Sequence, residues 1–105
     1  MIRHIVFFTV PNEADREAVR AGLSILTEIP FARTLEVAEN VKTDQFGNSI
    51  DFVVYGEFDD EAALAAYKAH PTYQRSIERV RPIRDLRIAA DFDTATAVRE
   101  RLPDA

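Results

Sequence analysis

Two stretches of this 105-residue chain have large apolar residues at odd and even positions alike, and each predicts a strand that is covered on both faces. The first covers residues 2–10 and is ended by a proline, and the second covers residues 50–58. A weaker apolar pattern over residues 35–41 predicts a strand at a sheet edge, and residues 83–92 predict a final strand. The chain therefore has four predicted strands.

Apolar residues at helical spacing separate the first two strands. Asn12 is suited to cap a helix, and Val19, Leu23 and Leu26 then recur at positions i, i+4 and i+7. This pattern predicts an amphipathic helix that ends near Pro30.

A second helical segment precedes the final strand and is interrupted. Asp59 and Asp60 are suited to cap an alanine-rich helix, but His70-Pro71 stands within the helical pattern. Proline lacks an amide proton and moves the preceding residue away from helical angles, so we expect the chain to bend here. Because proline is tolerated in the first turn of a helix, residues 72–80 are predicted to form a new one.

The predicted order of elements, βαββαβ, is a split βαβ arrangement and assigns the chain to the α+β class. Both helical segments then lie on one face of a four-stranded antiparallel sheet, and the other face is bare. Because the first and third strands are apolar at odd and even positions alike, the bare face also has to leave water. We therefore predict a homodimer in which two such faces meet in a two-fold contact and close into a barrel.

The C-terminal tail is the alternative cover for the bare face. The domain is predicted over residues 1–93, and the polar, alanine-rich tail over residues 94–105. The tail is predicted either to form a short helix over Val98 and Leu102 or to fray. Because it is short and mostly polar, a second copy of the chain is the better candidate for covering four strands.

Composition restricts the function classes. A formal net charge of −5 argues against nucleic acid, and acidic residues are interleaved among the arginines between Arg75 and Arg87, which we interpret as a solvated face. The absence of cysteine removes disulfides, thiol nucleophiles and cysteine-ligated metals. Two histidines and scattered carboxylates give no metal-ligand spacing, and no glycine-rich phosphate loop or G-x-S-x-G elbow occurs. We therefore expect neither a metal nor another cofactor.

The apolar run at the N-terminus bears on the cellular location. It is too short to span a bilayer, and it lacks a small-residue cleavage site. We interpret it as a buried strand and expect a soluble, cytoplasmic protein that does not bind membranes.

Three segments of the chain resemble the stress-responsive A/B barrel family, often called Dabb. The resemblance covers residues 2–93, and it rests on the segments IRHIVFF, DFVVYGEFDDEAALAAYKAHP and VRPIRDLRIAADFD. Its most specific part combines the third strand, the acidic cap and the alanine-rich helix with Tyr67 and His70-Pro71. The resemblance implies a ferredoxin-like, dimeric α+β barrel.

Within that family the chain bears a distant resemblance to the plant olivetolic acid cyclases, which close a linear polyketide by an aldol condensation without metal or organic cofactor. The resemblance places their catalytic tyrosine at Tyr67 and a supporting histidine at His4. Their catalytic histidine falls at Tyr73 and a further pocket histidine at Phe52, so the chain departs from the pattern at two positions. These departures argue against the same cyclisation.

The residues themselves offer one candidate pair for chemistry. His70 lies at a forced helix break, where an imidazole that turned toward the sheet would be a suitable general base. Tyr67 is three residues earlier, so the two side chains can share a face, and its hydroxyl can donate to a developing oxyanion. The alternatives are a His70 ring that satisfies backbone groups at the break and a Tyr67 that belongs to the core.

Four further residues are candidates for a ligand pocket between helices and sheet: His4, Phe52, Tyr55 and Tyr73. His4 lies on an apolar strand face, where a hydrogen-bonded core histidine is the alternative reading. Tyr55 is a candidate for either the pocket or the dimer interface.

Three functions remain open at this point. The first is a homodimer that binds a small apolar or aromatic ligand. The second is a cofactor-independent enzyme of the cyclase or lyase kind, with His70 as general base and Tyr67 as oxyanion donor. The third is a cofactorless monooxygenase of the dimeric barrel type.

Overall fold

Four strands form one antiparallel sheet in the order β2-β3-β1-β4 in the computed structural model, which describes residues 1–100. The strands are β1 (Ile2–Phe8), β2 (Thr34–Glu39), β3 (Phe52–Phe58) and β4 (Arg87–Asp93). Each apolar stretch of the sequence thus contains a strand, and β1 and β3, which have apolar residues at odd and even positions, are neighbours in the middle of the sheet. The predicted α+β class and four-stranded antiparallel sheet are confirmed.

Three α-helices cover one face of the sheet. They are α1 (Arg16–Ser24), α2 (Glu61–Ala69) and α3 (Pro71–Val80), and short 3-10 helices at Glu13–Asp15 and Ile25–Glu28 extend α1 in both directions. None of the helices within residues 1–100 has both the length and the apolar character needed to cross a membrane.

Side chains of each strand alternate between the two faces of the sheet. In β1 and β3 every second residue, starting with Ile2 and Phe52, is buried beneath the helices, and the residues between them are half-buried. We call the face opposite the helices the open face. Its central side chains are mainly apolar or aromatic: Ile5, Phe7, Val53, Tyr55, Ile88, Ala90 and Phe92.

The helices α1 and α3 pack closely because Gly22 has no side chain. A Cβ atom at this position would lie 2.9 Å from Cγ2 of Val80. The hydroxyl of Ser76 donates a hydrogen bond of 2.8 Å to the carbonyl oxygen of Gly22 and fixes the same contact. The glycine at residue 22 therefore allows α1 and α3 to pack closely together on the same face of the sheet.

The predicted break between α2 and α3 is confirmed. His70 has extended backbone angles (φ −68°, ψ 140°), and α3 begins at the proline that follows it. The Nδ1 atom of His70 accepts a hydrogen bond of 3.1 Å from the N–H of Thr72. Asp60 caps α2 in the same manner by accepting from the N–H of Ala63. Both α2 and α3 thus begin with a side chain that satisfies an otherwise unpaired amide.

A buried carboxylate joins the end of β1 to the segments that flank α1 and β3. Asp51 accepts hydrogen bonds from the N–H of Val10 at 2.7 Å and from Nζ of Lys42 at 2.9 Å, and it forms an ion pair with Arg16 at 3.2 Å. Burial alone would raise the pKa of Asp51, but these donors and cations together lower it below the ordinary value. The carboxylate therefore stays ionised and anchors the loop before β3.

All four strands are shorter than predicted, and β1 ends at Phe8 while β3 begins at Phe52, each two residues inside its predicted range. β2 ends at Glu39, and Val41 lies beyond it with 81% of its surface exposed. β4 begins at Arg87, because the backbone N–H of Leu86 donates to the hydroxyl of Thr9 before regular pairing with β1 starts. These differences shorten the strands and leave the order of elements unchanged.

The structure describes only part of the C-terminal tail, the alternative cover for the open face. Residues 94–100 contain no helix, the N–H of Thr94 donates to the carbonyl oxygen of Met1, and Val98 is fully exposed. Leu102 lies outside the described residues. The described part of the tail leaves Ile88 and Phe92 on the open face 51% and 40% exposed.

Candidate functional site

A cavity of about 400 Å³ lies between the helices and the sheet. Its apolar lining comes from the sheet, from the α1 region and from α3: Val6, Phe8, Val54, Leu23, Leu26 and Val80. Its polar lining includes His4 of β1, Tyr67 of α2 and Tyr73 of α3. The cavity thus brings together three of the six residues that the sequence singled out.

His4 is buried on the helix-facing side of β1, with 1% of its surface exposed. The β1–β4 register places Asp91 directly opposite, and the two side chains form a hydrogen bond of 2.5 Å between Nδ1 of His4 and Oδ1 of Asp91. Because an ionised carboxylate can only accept, Nδ1 carries the proton. The other ring nitrogen, Nε2, is then an acceptor in the cavity wall.

Burial controls the charge state of His4. Removal from water lowers the pKa of its imidazole below the ordinary value of 6.5, and the hydrogen bond and charge of Asp91 oppose this only in part. The imidazole is therefore neutral at pH 7, the form in which Nε2 can accept a hydrogen bond or a proton.

Tyr67 is held in place by other aromatic rings. Its ring centroid lies 5.0 Å from that of Phe58, 5.3 Å from that of Tyr73 and 6.3 Å from that of His4. Burial raises the pKa of the Tyr67 hydroxyl well above its ordinary value, so this group stays protonated and serves as a hydrogen-bond donor. Tyr67 is 1% exposed and lines the cavity.

His70 does not reach this cavity. Its Nδ1 atom is used in capping α3, and its ring lies against Phe31, with the ring centroids 6.2 Å apart. The proposed pairing of His70 with Tyr67 across a pocket is therefore replaced by the alternative, in which His70 satisfies the backbone at the break. The hydrogen bond from the N–H of Thr72 fixes the direction of the His70 ring.

Phe52 and Tyr55, two candidates for the pocket lining, lie elsewhere. Phe52 belongs to the core at the start of β3 and is 1% exposed. Tyr55 lies on the open face, where its hydroxyl donates a hydrogen bond of 2.7 Å to Glu57. The structure therefore places Tyr55 at the candidate dimer interface, which was the second of its two expected positions.

The sequence reading missed Asp91 and the arginines Arg81, Arg84 and Arg87, which line the cavity mouth. The position of Asp91 within the apolar run of β4 is the feature of the sequence that indicates a role for this carboxylate. The arginines were noted, but their interleaving with acidic residues pointed to a solvated face. The turn after α3 instead gathers these three beside the cavity.

The arrangement combines an acceptor and a donor in a cavity that is lined by apolar and polar side chains. Neutral His4 offers Nε2 as acceptor, and Tyr67 offers a hydroxyl that does not ionise at neutral pH. A carbonyl compound between them could donate a hydrogen bond to His4 or lose a proton to it, while Tyr67 donates to the carbonyl oxygen. Within residues 1–100, no three potential metal-ligating side chains lie together.

Solved structures of similar fold come from several sources. A dimeric ferredoxin-like protein of unknown function from Jannaschia sp. is 22% identical, with 89% of this chain and 98% of that chain covered at a TM-score of 0.77. A Dabb family protein with a ferredoxin-like fold from Mesorhizobium loti is 23% identical, with coverage of 88% and 94% and a TM-score of 0.72. An antibiotic biosynthesis monooxygenase is 18% identical, with coverage of 90% and 98% and a TM-score of 0.70.

These likenesses establish the ferredoxin-like fold. No curated protein sequence matches the chain. The family model for the stress responsive A/B barrel domain matches residues 2–94, nearly the whole of the described chain. This protein belongs to the stress responsive A/B barrel domain family, Dabb.

Proposed function

We propose that this protein binds a small aromatic or apolar molecule bearing a carbonyl or similar oxygen group in the cavity between helices and sheet. The observation that carries the proposal is the pair His4 and Tyr67, which line one cavity together with apolar side chains of the sheet and of α3. Small-molecule pockets typically combine apolar walls with a few polar groups that orient the ligand, and a donor and an acceptor at one cavity favour such a ligand.

The size of the cavity fits this class of ligand. Pockets for small molecules typically enclose about 300–1,000 Å³, and this cavity is near the lower end of that range. A molecule of one or two aromatic rings is therefore favoured over a larger cofactor. The rings of Tyr67 and Tyr73 offer edge and face contacts to such a molecule.

The same proposal includes a homodimer formed through the open face. Ile88 and Phe92 are exposed there at 51% and 40%, beside Ile5, Phe7 and Val53. An apolar area of roughly several hundred Å² is more than a monomer commonly exposes. The similar structure from Jannaschia sp., described as dimeric, supports the same assembly for this chain.

A second candidate function is proton transfer without a cofactor, and the hydrogen bond between His4 and Asp91 favours it. A carboxylate behind an imidazole fixes the tautomer and stabilises the positive charge that forms when the other nitrogen accepts a proton. The general base is then His4 and the oxyanion donor is Tyr67. The monooxygenase hypothesis is supported by likeness of fold alone, and it stays a prediction.

Filling the cavity tests the binding proposal. Ile77 lines the cavity and is half-buried, so Ile77→Trp is expected to occupy it without disturbing the core. The probe is 2-acetylnaphthalene, which has two fused rings and one carbonyl, titrated by calorimetry. We expect saturable binding to the unsubstituted protein and at least about a tenfold loss of affinity in Ile77→Trp, because the indole displaces the probe.

Glu78→Trp provides the matched control, since residue 78 is the exposed neighbour on the same helix. Its affinity for the probe should stay within twofold of the original, and circular dichroism should show both variants folded. Equal binding by the two tryptophan variants, or no binding to the unsubstituted protein at millimolar probe, contradicts the proposal.

A further inference from the structure

Three arginines converge on the mouth of the cavity from consecutive parts of the chain. Arg81 follows the last residue of α3, Arg84 lies in the turn after it, and Arg87 is the first residue of β4. Arg84 is half-buried, and Arg81 and Arg87 are exposed. The segment between α3 and β4 thus brings three arginines to the lining of a single cavity.

These three arginines form no ion pair with a carboxylate within residues 1–100, and the same is true of Arg75 and Arg79, which do not line the cavity. Arg16, Arg20 and Arg33 each form an ion pair, with Asp51, Glu17 and Asp59 respectively. By contrast, Arg84 donates only to the backbone carbonyl oxygen of Asp85. Arg87 donates to the hydroxyl of Tyr73 at 3.4 Å.

The lack of ion pairs is notable in a chain with more acidic than basic residues, since 18 carboxylates are available against 13 lysines and arginines. Mutual repulsion of three neighbouring cations is unfavourable, and a bound anion relieves it. Guanidinium groups also match the paired oxygens of carboxylates and phosphates. The mouth of the cavity therefore has the charge and the donors for an oxyanion, directly beside its apolar interior.

We propose that the ligand of this cavity is an aromatic or apolar molecule with an oxyanion group, held at the mouth by Arg81, Arg84 and Arg87. The inference rests on the proposed function and adds a substrate class to it. The hydrogen bond from Arg87 to Tyr73 links the arginines to the aromatic wall. The ring of the ligand lies inside, toward Tyr67, and its anionic group stays at the opening.

The test compares three probes of the same ring system by calorimetry: 2-naphthoate, 2-naphthyl phosphate and the uncharged 2-naphthamide. We expect at least one of the two anions to bind at least about tenfold more tightly than the amide. The anion with the higher affinity identifies the preferred kind of oxyanion. Arg84→Gln should lower the affinity for that anion about tenfold. Substitution of glutamine at residues 81, 84 and 87 together should lower the affinity to that of the amide. Binding of the amide should change less than twofold.

Arg79→Gln is the matched control, because Arg79 is exposed on α3 and does not line the cavity. It removes one positive charge close by and should leave the affinity for the anions within twofold. Equal binding of anions and amide, or an equal loss in Arg79→Gln and Arg84→Gln, overturns the inference. If 2-acetylnaphthalene still binds in that case, the proposed function stands. If none of the four probes binds, both fail.

Discussion

Replacing His4 by glutamine is expected to slow protein-catalysed proton exchange on a carbonyl compound by about 10²- to 10⁴-fold, the usual contribution of a positioned general base. The reaction is exchange of the methyl protons of acetophenone for deuterium in D₂O, followed by NMR. A methyl C–H bond breaks, its proton moves to Nε2 of His4, and the electron pair forms an enolate whose oxygen accepts a hydrogen bond from Tyr67. The imidazolium of His4 exchanges this proton for a deuteron of the solvent, and Nε2 returns the deuteron to the carbon as the enolate reverts to the ketone.

Glutamine is chosen because its amide can still donate a hydrogen bond to Asp91 while it cannot take up a proton at neutral pH. His70→Gln is the matched control, since His70 caps α3 and does not line the cavity. We expect its exchange rate to stay within twofold of the original. An equal loss in both histidine variants, or no loss in His4→Gln, contradicts the role of His4.

The pH dependence of the same exchange follows from the lowered pKa of His4. Because the pKa of His4 lies below 6.5, its neutral form predominates above that pH, and the rate should fall as the pH drops through the pKa of His4 in the folded protein. Asp91→Asn should reduce the rate at neutral pH as well, because an asparagine amide can donate to Nδ1 and shift the proton to Nε2. A rate that falls with rising pH near neutrality would exclude His4 as base.

Placing a charge on the open face is expected to separate the dimer. Ile88→Glu introduces two carboxylates into a two-fold contact, one from each copy, and each costs about 2–3 kcal/mol if it remains without a partner. The dissociation constant should therefore rise by about 10³-fold or more. Sedimentation equilibrium at micromolar concentration should then give the single-chain mass of 11.9 kDa.

Ala62→Glu makes the same charge change on the exposed surface of α2, on the helix side of the sheet. This variant should sediment as the unsubstituted protein does, at twice the mass of one chain. If Ile88→Glu and Ala62→Glu sediment alike, the open face is not the interface.

The sheet could be predicted because its evidence is local. The stretches that contain β1 and β3 are apolar on both faces, and a strand with that property needs cover on each side. The helix break at His70-Pro71 could also be predicted, because proline has no backbone N–H to donate and it restricts the backbone angles of the residue before it. The strand ends were less predictable, because the contact between Leu86 and Thr9 that delays β4 joins distant parts of the chain.

The candidate site could be predicted only in part from the sequence, because its key contacts depend on the register in which the strands pair. Nothing near His4 in the sequence indicates that Asp91 stands opposite, since that pairing requires β1 and β4 to be neighbours in one alignment. The direction of the His70 ring depends on the hydrogen bond that its Nδ1 atom accepts from the N–H of Thr72. The resemblance to known proteins pointed to His4 and Tyr67, and the structure shows both beside one cavity.

The central claim is that this cavity, with His4 and Tyr67 in its wall, is where the protein binds its ligand. A crystal structure of the protein grown with 2-acetylnaphthalene tests it most directly. We expect the fused rings between the sheet and α3, with the carbonyl oxygen within hydrogen-bond distance of the Tyr67 hydroxyl. A cavity that is closed by its own side chains, or a probe bound at another surface, would contradict the claim.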